Sequence, residues 1–346
     1  MKEKTTYYDG TKLLSMQDLN GNKPEIYICT SNRSAGKTTW FNRYFLKRFK
    51  ENNEKFLLLY RYKYEIDDCV DKFFKDIHGL FFPTDDFRAV NKNQIYKELI
   101  FNNKSCGYAI SLNSADMIKK YSHLFSDVTR ILFDEFQSEN NSYLPDEIKK
   151  FISVHTSVSR GHGCQSRYVP VFMISNNVNI LNPYYCELSI SERLQADTKF
   201  LKGNGWVLEQ GFNESAMLAQ QNSIFMKAFS SNTYALYSST RSYLYDDTAF
   251  IEKLTGASRY ICTLRYDGND YSIREYSNEG FLYCDNSVDK SYKIRVAVNA
   301  DDMIPDYVMQ SPSDSMVAVL RKFFNCGRFR FKNLQCKKAV INMLKY

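Results

Sequence analysis

No apolar run in this 346-residue chain approaches the roughly 20 residues that a membrane-spanning helix needs. The longest are residues 56–60 and 169–174. The opening MKEKTTYYDG lacks the apolar segment of a signal peptide, so a soluble, intracellular protein is expected. Nine cysteines are scattered singly, with no C-x-x-C pair and an odd total. That excludes a disulfide framework and a zinc-finger pattern, and fits reduced thiols. Seven prolines are too few for a long rigid linker, and no internal repeat or low-complexity tract is present. A hydrophobic content of 44% with 25% charged residues excludes a disordered or fibrous chain. The length exceeds one ordinary core, so two domains are expected.

Acidic residues are absent from Arg321–Tyr346, which holds eight basic ones: Arg321, Lys322, Arg328, Arg330, Lys332, Lys337, Lys338 and Lys345. Without these eight the chain carries 38 basic and 39 acidic side chains, so the tail holds the whole positive excess of +7. Phe323, Phe324, Phe329 and Phe331 are interleaved with the charges. Two readings stand: a surface for a polyanion such as nucleic acid or for an acidic protein, or a solvated amphipathic helix pair.

The first two hundred residues alternate short apolar runs with helical patterns, as a parallel α/β sheet does. Strands are expected at 25–30, 56–62, 107–112, 129–133, 169–175 and 206–209. A helix is expected from Lys37 to Asn52, where Trp40, Phe41, Tyr44, Phe45 and Phe49 recur at three- and four-residue steps. One helix is expected over 214–229, then linker over 230–242. Beyond Gly256 the pattern changes to hairpins, with strands at 260–266 and 271–276 around Asp-Gly-Asn-Asp, then 280–284 and 292–298. Helices follow at 313–324 and 334–344. The domains are therefore placed at 1–208, 209–250 as a helical linker or lid, and 251–346 as a small α+β unit.

Directly after the first strand stand Ser31, Asn32, Arg33, Ser34, Ala35, Gly36, Lys37, Thr38 and Thr39. They fit the Walker A loop G-x-x-x-x-G-K-[ST], with Ser31 in place of the first glycine. Such a loop turns backbone N–H groups around the β-phosphate at the positive end of the following helix. Gly36 permits close approach, Lys37 reaches the β/γ-phosphates, and the Thr38 hydroxyl takes a Mg²⁺ position. The strand at 129–133 runs into Asp134 and Glu135. This is a Walker B pattern, in which Asp134 holds Mg²⁺ and Glu135 polarises the attacking water. Adjacent acids, with an extra strand expected between Walker A and Walker B, point to the additional-strand, catalytic-glutamate class of ATPases. A GTPase would want Asn-Lys-x-Asp, which does not occur.

Ser175, Asn176 and Asn177 end the strand at 169–175, where polar groups sense the γ-phosphate or cap a turn. Arg33 either binds phosphate in cis or faces solvent. Arg160, in Ser-Val-Ser-Arg-Gly-His-Gly, sits in a glycine-rich turn suited to an arginine finger on a neighbouring subunit. His155 and His162 are expected to be structural. Arg61 or Tyr62 is expected near the nucleotide base.

Together these residues resemble viral DNA-packaging ATPases, above all the encapsidation proteins of phi-29-like small tailed phages. The resemblance is carried by Arg33 within Ser-Ala-Gly-Lys-Thr, Leu-Leu-Leu-Tyr-Arg-Tyr at 57–62, Phe-Asp-Glu at 133–135 and Ser-Asn-Asn at 175–177. It implies an ATP- and Mg²⁺-dependent motor that drives double-stranded DNA through the portal of an empty capsid. It also implies a ring, usually a pentamer, with a packaging RNA as a partner in some members. Location follows: the host cytoplasm and transiently the prohead, not the mature virion. In such proteins the second domain resembles a ribonuclease H-like nuclease that has lost its acids. Residues 260–266 contain no acid, so no nuclease activity is expected. A helicase-like or conjugation-type ATPase on single strands, and a non-motor P-loop switch, are the alternatives.

Overall fold

The computed structural model describes residues 7–92, 95–161, 163–194, 198–229, 232, 234, 237, 243–244, 250–251, 254–311 and 313–345. Most of the expected linker at 230–242, and His162, lie outside the described residues. The chain forms two compact units, one from 1–177 with 199–241, the other from 178–198 with 242–346. These boundaries differ from the expected divisions at 208 and 250. The reason is local: the short helices Pro183–Glu187 and Ile190–Arg193 belong to the C-terminal core. There Lys337 Nζ donates to the Leu194 carbonyl at 2.9 Å, and Asn342 Nδ2 to Glu192 Oε1 at 2.8 Å.

The first unit is built on nine strands: β1 (Ile26–Ser31), β2 (Lys55–Tyr60), β3 (Phe87–Lys92), β4 (Tyr96–Phe101), β5 (Lys104–Ser111), β6 (Val128–Asp134), β7 (Val171–Asn176), β8 (Phe200–Lys202) and β9 (Trp206–Gln210). Their order is β3-β4-β5-β2-β6-β7-β1-β9-β8. The centre from β5 to β9 is parallel, and antiparallel strands finish both edges. The sheet is therefore parallel-rich, as expected, with antiparallel strands only at its edges. β7 lies between β1 and β6, and its register sets Ser31 beside Asn176 and Asp134 beside Ile174. Gly107 permits β5 to close on β2, since a Cβ there would stand 2.0 Å from the Phe56 carbonyl oxygen.

The helix Lys37–Asn52 forms where the periodicity placed it, and buries Phe41, Phe45, Leu46 and Phe49. Phe172 of β7 meets Phe45 at 5.3 Å and Phe41 at 5.8 Å between ring centroids, so this helix is seated on the sheet by aromatic contacts. A second helix, Lys63–Phe81, was not read, although Ile66, Val70, Phe73, Phe74 and Ile77 keep a helical period and are buried. The β3–β4 hairpin also escaped the reading, because half-exposed β3 has no apolar run. The helix expected over 214–229 is two helices, Glu214–Asn222 and Ile224–Ala228. The break falls at Ser223, whose extended backbone and hydroxyl cap the second helix at Met226 N.

Just beyond β2, Arg61 turns inward and is 5% exposed. Its Nε donates to both carboxylate oxygens of buried Glu147 at 3.0 Å, its Nη1 to the Glu135 carbonyl at 3.3 Å, and its Nη2 to the Phe136 carbonyl at 2.5 Å. Arg61 thus ties the turn after β6 to the helix Glu147–Val158. Tyr62 stacks on Tyr64, with ring centroids 5.4 Å apart.

The second unit holds β10 (Phe250–Ile251), β11 (Arg259–Tyr266), β12 (Asn269–Tyr276), β13 (Phe281–Asp285), β14 (Arg295–Ala297), β15 (Val308–Met309) and β16 (Phe329–Phe331) in the order β10-β16-β13-β12-β11-β14-β15. β11, β12 and β13 form an antiparallel meander, while β14 and β15 are added in parallel to β11. β14 is shorter than the strand expected at 292–298. The helices Ser315–Asn325 and Leu334–Leu344 appear as expected, but β16 runs between them. Phe324, Phe329 and Phe331 are buried, so the tail is part of this core and not a free basic arm. Among the described residues, no helix is long and apolar enough to cross a membrane.

Removing one partner of a buried ion pair leaves an uncompensated charge, at a cost of about 3–5 kcal/mol. Glu147→Ala should therefore lower unfolding stability by about that amount in urea titration, and Arg61→Met with Glu147→Leu should recover most of it. Equal losses in the single and double variants would show that the pairing is unimportant.

Candidate nucleotide site

At the carboxyl edge of β1 the chain enters a loop that needs two left-handed residues. Ser34 has φ 61° and Gly36 φ 90°, with Gly36 the cap residue of the helix Lys37–Asn52. Gly36 is suited to that backbone, and a side chain there would also press on Tyr7 at 3.2 Å. The loop is closed about its own lysine. Lys37 Nζ donates to Ser31 Oγ at 2.7 Å, to the Asn32 carbonyl at 3.2 Å, and to Asn176 Oδ1 at 3.3 Å. Ser31, which replaces the usual glycine, thus supplies a hydroxyl partner. Burial pushes the Lys37 ammonium below its ordinary pKa. An anion in the cleft would offset that cost.

The loop and the ends of β6 and β7 line a cleft of about 400 Å³. Its wall includes Lys37, Thr38, Asp134, Glu135, Ser175 and Asn176. The Thr38 hydroxyl hydrogen-bonds to the Asp134 carboxylate, which also accepts from Glu135 N at 2.9 Å. Burial, reinforced by the neighbouring Glu135 charge, pushes Asp134 up to about 6. A hydroxyl and a carboxylate converging in this way are hard oxygen donors that fit Mg²⁺. Glu135 is exposed and adopts φ 53°, an uncommon backbone for a residue with a side chain. The Arg61 contact to its carbonyl helps hold that turn.

The expected residues divide into those at the cleft and those away from it. Ser31 and Asn32 are buried beneath the loop, and Arg33, Ser34, Ala35, Gly36 and Thr39 line the cleft with Lys37 and Thr38. Asn176 reaches Lys37, and Ser175 lines the cleft, whereas Asn177 is buried and forms no part of that wall. Arg160 is exposed, just before Gly161 at φ 133° and Gly163 at φ 77°. His155 Nε2 pairs with the Val169 carbonyl at 2.9 Å, a structural contact. In the basic tail, Lys337 is buried and is removed from any contact surface by its bond to Leu194. Arg321 donates to the Leu344 carbonyl, and Arg330 to the Gly327 carbonyl while lying over the Phe281 ring. Lys322, Arg328 and Lys332 are exposed, and Lys338 is half-buried.

Sequence reasoning missed four residues that support the loop. Asn32 and Asn213 exchange hydrogen bonds at 2.9 and 3.0 Å between side chain and backbone. Gln220 Nε2 donates to Ser34 Oγ at 3.0 Å. Glu139 pairs with Arg33, and Tyr234 lies against the same guanidinium at 5.3 Å. Only Asn213 carried a local signal, as an asparagine cap before Glu214.

The matched family model is described as podovirus DNA encapsidation protein (Gp16) and covers residues 2–345. The chain is 23% identical to the DNA packaging protein of Bacillus phage phi29, over 99% of this chain and 98% of that one. It is 24% identical to the DNA packaging protein of Bacillus phage B103, over 90% and 94%. Among solved structures, a chain of the bacteriophage phi-29 viral genome packaging motor assembly superposes with a TM-score of 0.57 at 22% identity, covering 98% of this chain and 100% of that one. That likeness shows the shared fold, and the family model accounts for nearly every residue. The chain belongs to the podovirus DNA encapsidation protein family.

Proposed function

We propose that the chain is an ATP-hydrolysing motor subunit that moves double-stranded DNA into an empty capsid through its portal. The observation that carries this is the convergence of Lys37, Thr38, Asp134, Glu135 and Asn176 on one cleft, in a chain of this family. The similarity to a phage DNA packaging protein and to a chain of a genome packaging motor assembly supports that reading. The position of β7 between β1 and β6 supports the additional-strand, catalytic-glutamate class.

In this reading the loop N–H groups and Lys37 bind the β- and γ-phosphates. Thr38 and Asp134 are the residues that would hold Mg²⁺, and the ion would supply positive charge beside the phosphoryl oxygens. Glu135 orients the attacking water and accepts its proton. Asn176, already touching Lys37, is placed to register the γ-phosphate. Exposed Arg160 completes the site of a neighbouring subunit in a ring, for which a pentamer is the expected form. The grip on DNA is to phosphates, since a translocase must accept any sequence. A portal, with or without a packaging RNA, is the docking partner, which places the protein in the host cytoplasm and transiently on the prohead.

The meander β13-β12-β11 followed by parallel β14 and β15 supports a ribonuclease H-like second unit. Among the described residues, no group of three or more His, Cys, Asp or Glu side chains converges to hold a metal. β11 carries Thr263 at its centre and no acid. The acid-free β11 supports a second unit without nuclease activity.

Lys37→Ala should weaken nucleotide binding, whereas Glu135→Gln should bind ATP normally and lose about 10²–10⁴-fold in turnover. Equilibrium binding and phosphate release, measured with double- or single-stranded DNA and with empty capsids, test this. Normal hydrolysis by Glu135→Gln would sink the Walker B assignment. Stimulation by single strands alone would favour a helicase-like enzyme.

Arg160→Ala should bind ATP but lose about 10³–10⁵ in rate. Mixed rings with Glu135→Gln should regain activity, because the latter lends an intact Arg160 to a competent site. No recovery in verified mixed rings would place Arg160 in cis or in a structural role.

Since the tail is partly core, its charge is best tested by substitution rather than deletion. Lys322→Ala, Arg328→Ala and Lys332→Ala together should flatten the salt dependence of DNA or RNA binding, by about 0.9 in slope for each lost duplex phosphate contact. An unchanged slope in the folded triple variant would mark these side chains as a solvated face.

A further inference from the structure

Residues 7–10 precede the short helix Thr11–Leu14 and lie against the phosphate loop and the helix that follows it. Their sequence carries no nucleotide motif, and the chemistry of the cleft makes no use of their side chains. The backbone N–H of Tyr8 donates to the Ala35 carbonyl at 2.8 Å. The Tyr8 ring stacks on Phe41 at 6.0 Å and meets Trp40 edge-on at 5.9 Å between centroids. Its hydroxyl donates to Glu209 Oε2 of β9 at 2.7 Å. Gly10 packs so closely on Trp40 that a Cβ would stand 2.6 Å from the indole ring. Asp9 accepts from Thr11 N at 3.0 Å, and Leu13 is fully buried, so the segment is anchored beyond the loop as well.

The 35–36 peptide is trans, and in a trans peptide the C=O and the N–H point in opposite directions. A carbonyl turned towards Tyr8 therefore turns the Gly36 N–H away from Tyr8. Ala35 and Gly36 both line the cleft, and the Gly36 N–H meets no acceptor among the described residues. We propose that Tyr8 is a positioning residue that fixes the 35–36 peptide so that the Gly36 N–H is presented to a phosphate. This rests on the reading of the cleft as an ATP site. Glycine at 36 makes that peptide easy to rotate, and rotation would aim a carbonyl oxygen at the phosphate instead. Tyr8 sets the productive orientation before the anion arrives, so no reorganisation is needed on binding. Glu209, Phe41 and Trp40 hold Tyr8 in place and act on the loop through it.

Inserting the α-hydroxy acid of tyrosine at position 8 of the full chain replaces the amide by an ester. The donor is lost while the side chain stays. This variant should bind ADP with Mg²⁺ about 2- to 10-fold more weakly, the range of one hydrogen bond. Inorganic tripolyphosphate should lose affinity by a similar factor, because the contact is to phosphate and not to base or sugar. The contact serves ground and transition states alike, so KM for ATP should rise while kcat changes little.

Selective ¹⁵N labelling of glycine gives a readout that a simple loss of stability does not move. The wild-type Gly36 amide proton should shift downfield when ADP binds, and the shift should shrink in the ester variant. Glu209→Gln keeps an acceptor for the phenol and should stay near wild-type affinity. Tyr8→Phe, which removes the phenol, and Gly10→Ala, which presses on Trp40, should both weaken ADP binding. Calorimetric binding of ADP with an unmoved Gly36 amide would overturn the role of Tyr8. So would wild-type affinity in the folded ester variant, or in both Tyr8→Phe and Gly10→Ala. Failure of the wild-type protein to bind ADP would instead overturn the ATP-site reading, and the assignment with it.

Discussion

Parallel pairing of β1 with β7, and of β7 with β6, is the constraint on which the cleft depends. In parallel strands all carboxyl ends emerge at one edge of the sheet, where ligands of open α/β sheets bind. The register places Ser31 level with Asn176 and brings Asp134 to the same edge. A one-residue slip would turn every side chain of a strand to the opposite face. It would part Lys37 from Asn176 and Thr38 from Asp134. The aromatic seating of the helix Lys37–Asn52 on Phe172 protects this alignment, because the loop opens that helix and cannot shift without it.

Backbone strain in the site is held by side-chain contacts drawn from distant segments. Ser34, Gly36 and Glu135 all have positive φ, in the loop and at the end of Walker B. Arg61 supports the Glu135 turn through two carbonyls, and Glu147 supplies the charge that makes its burial tolerable. Asn213 and Gln220 do the same for the loop through neutral hydrogen bonds. Such contacts preorganise groups that must act together, in the way electrostatic catalysis requires.

The C-terminal unit divides among several environments a basic run that looks uniform along residues 321–346. Its basic residues alternate with aromatics, and folding sends the aromatics inward at Phe324, Phe329 and Phe331. Lys337 goes with them and is paid for by a carbonyl, whereas Lys322, Arg328 and Lys332 stay at the surface. A basic run is therefore a statement about several environments. All of its charges add to the summed field, but only the exposed members can touch a polyanion directly.

Local order settled much of this protein. The helix at Lys37–Asn52, the Asp267-Gly268 hairpin turn and the helix at Leu334–Leu344 form where periodicity and turn chemistry placed them, since each depends on neighbours a few residues away. The cleft residues Lys37, Thr38, Asp134 and Glu135 were legible for the same reason: each belongs to a short motif with fixed spacing. Contacts across long separations were not legible. Arg61 reads as a neighbour of the nucleotide base, and nothing local announces its pairing with Glu147; Glu139 likewise has no motif to announce its bonds to Arg33, Tyr234 and Tyr237. The unit boundary moved because residues 178–198 join the C-terminal core through Lys337 and Asn342. Sequence determines which groups exist and what each prefers locally. Only packing decides which carbonyl, carboxylate or ring completes each of them.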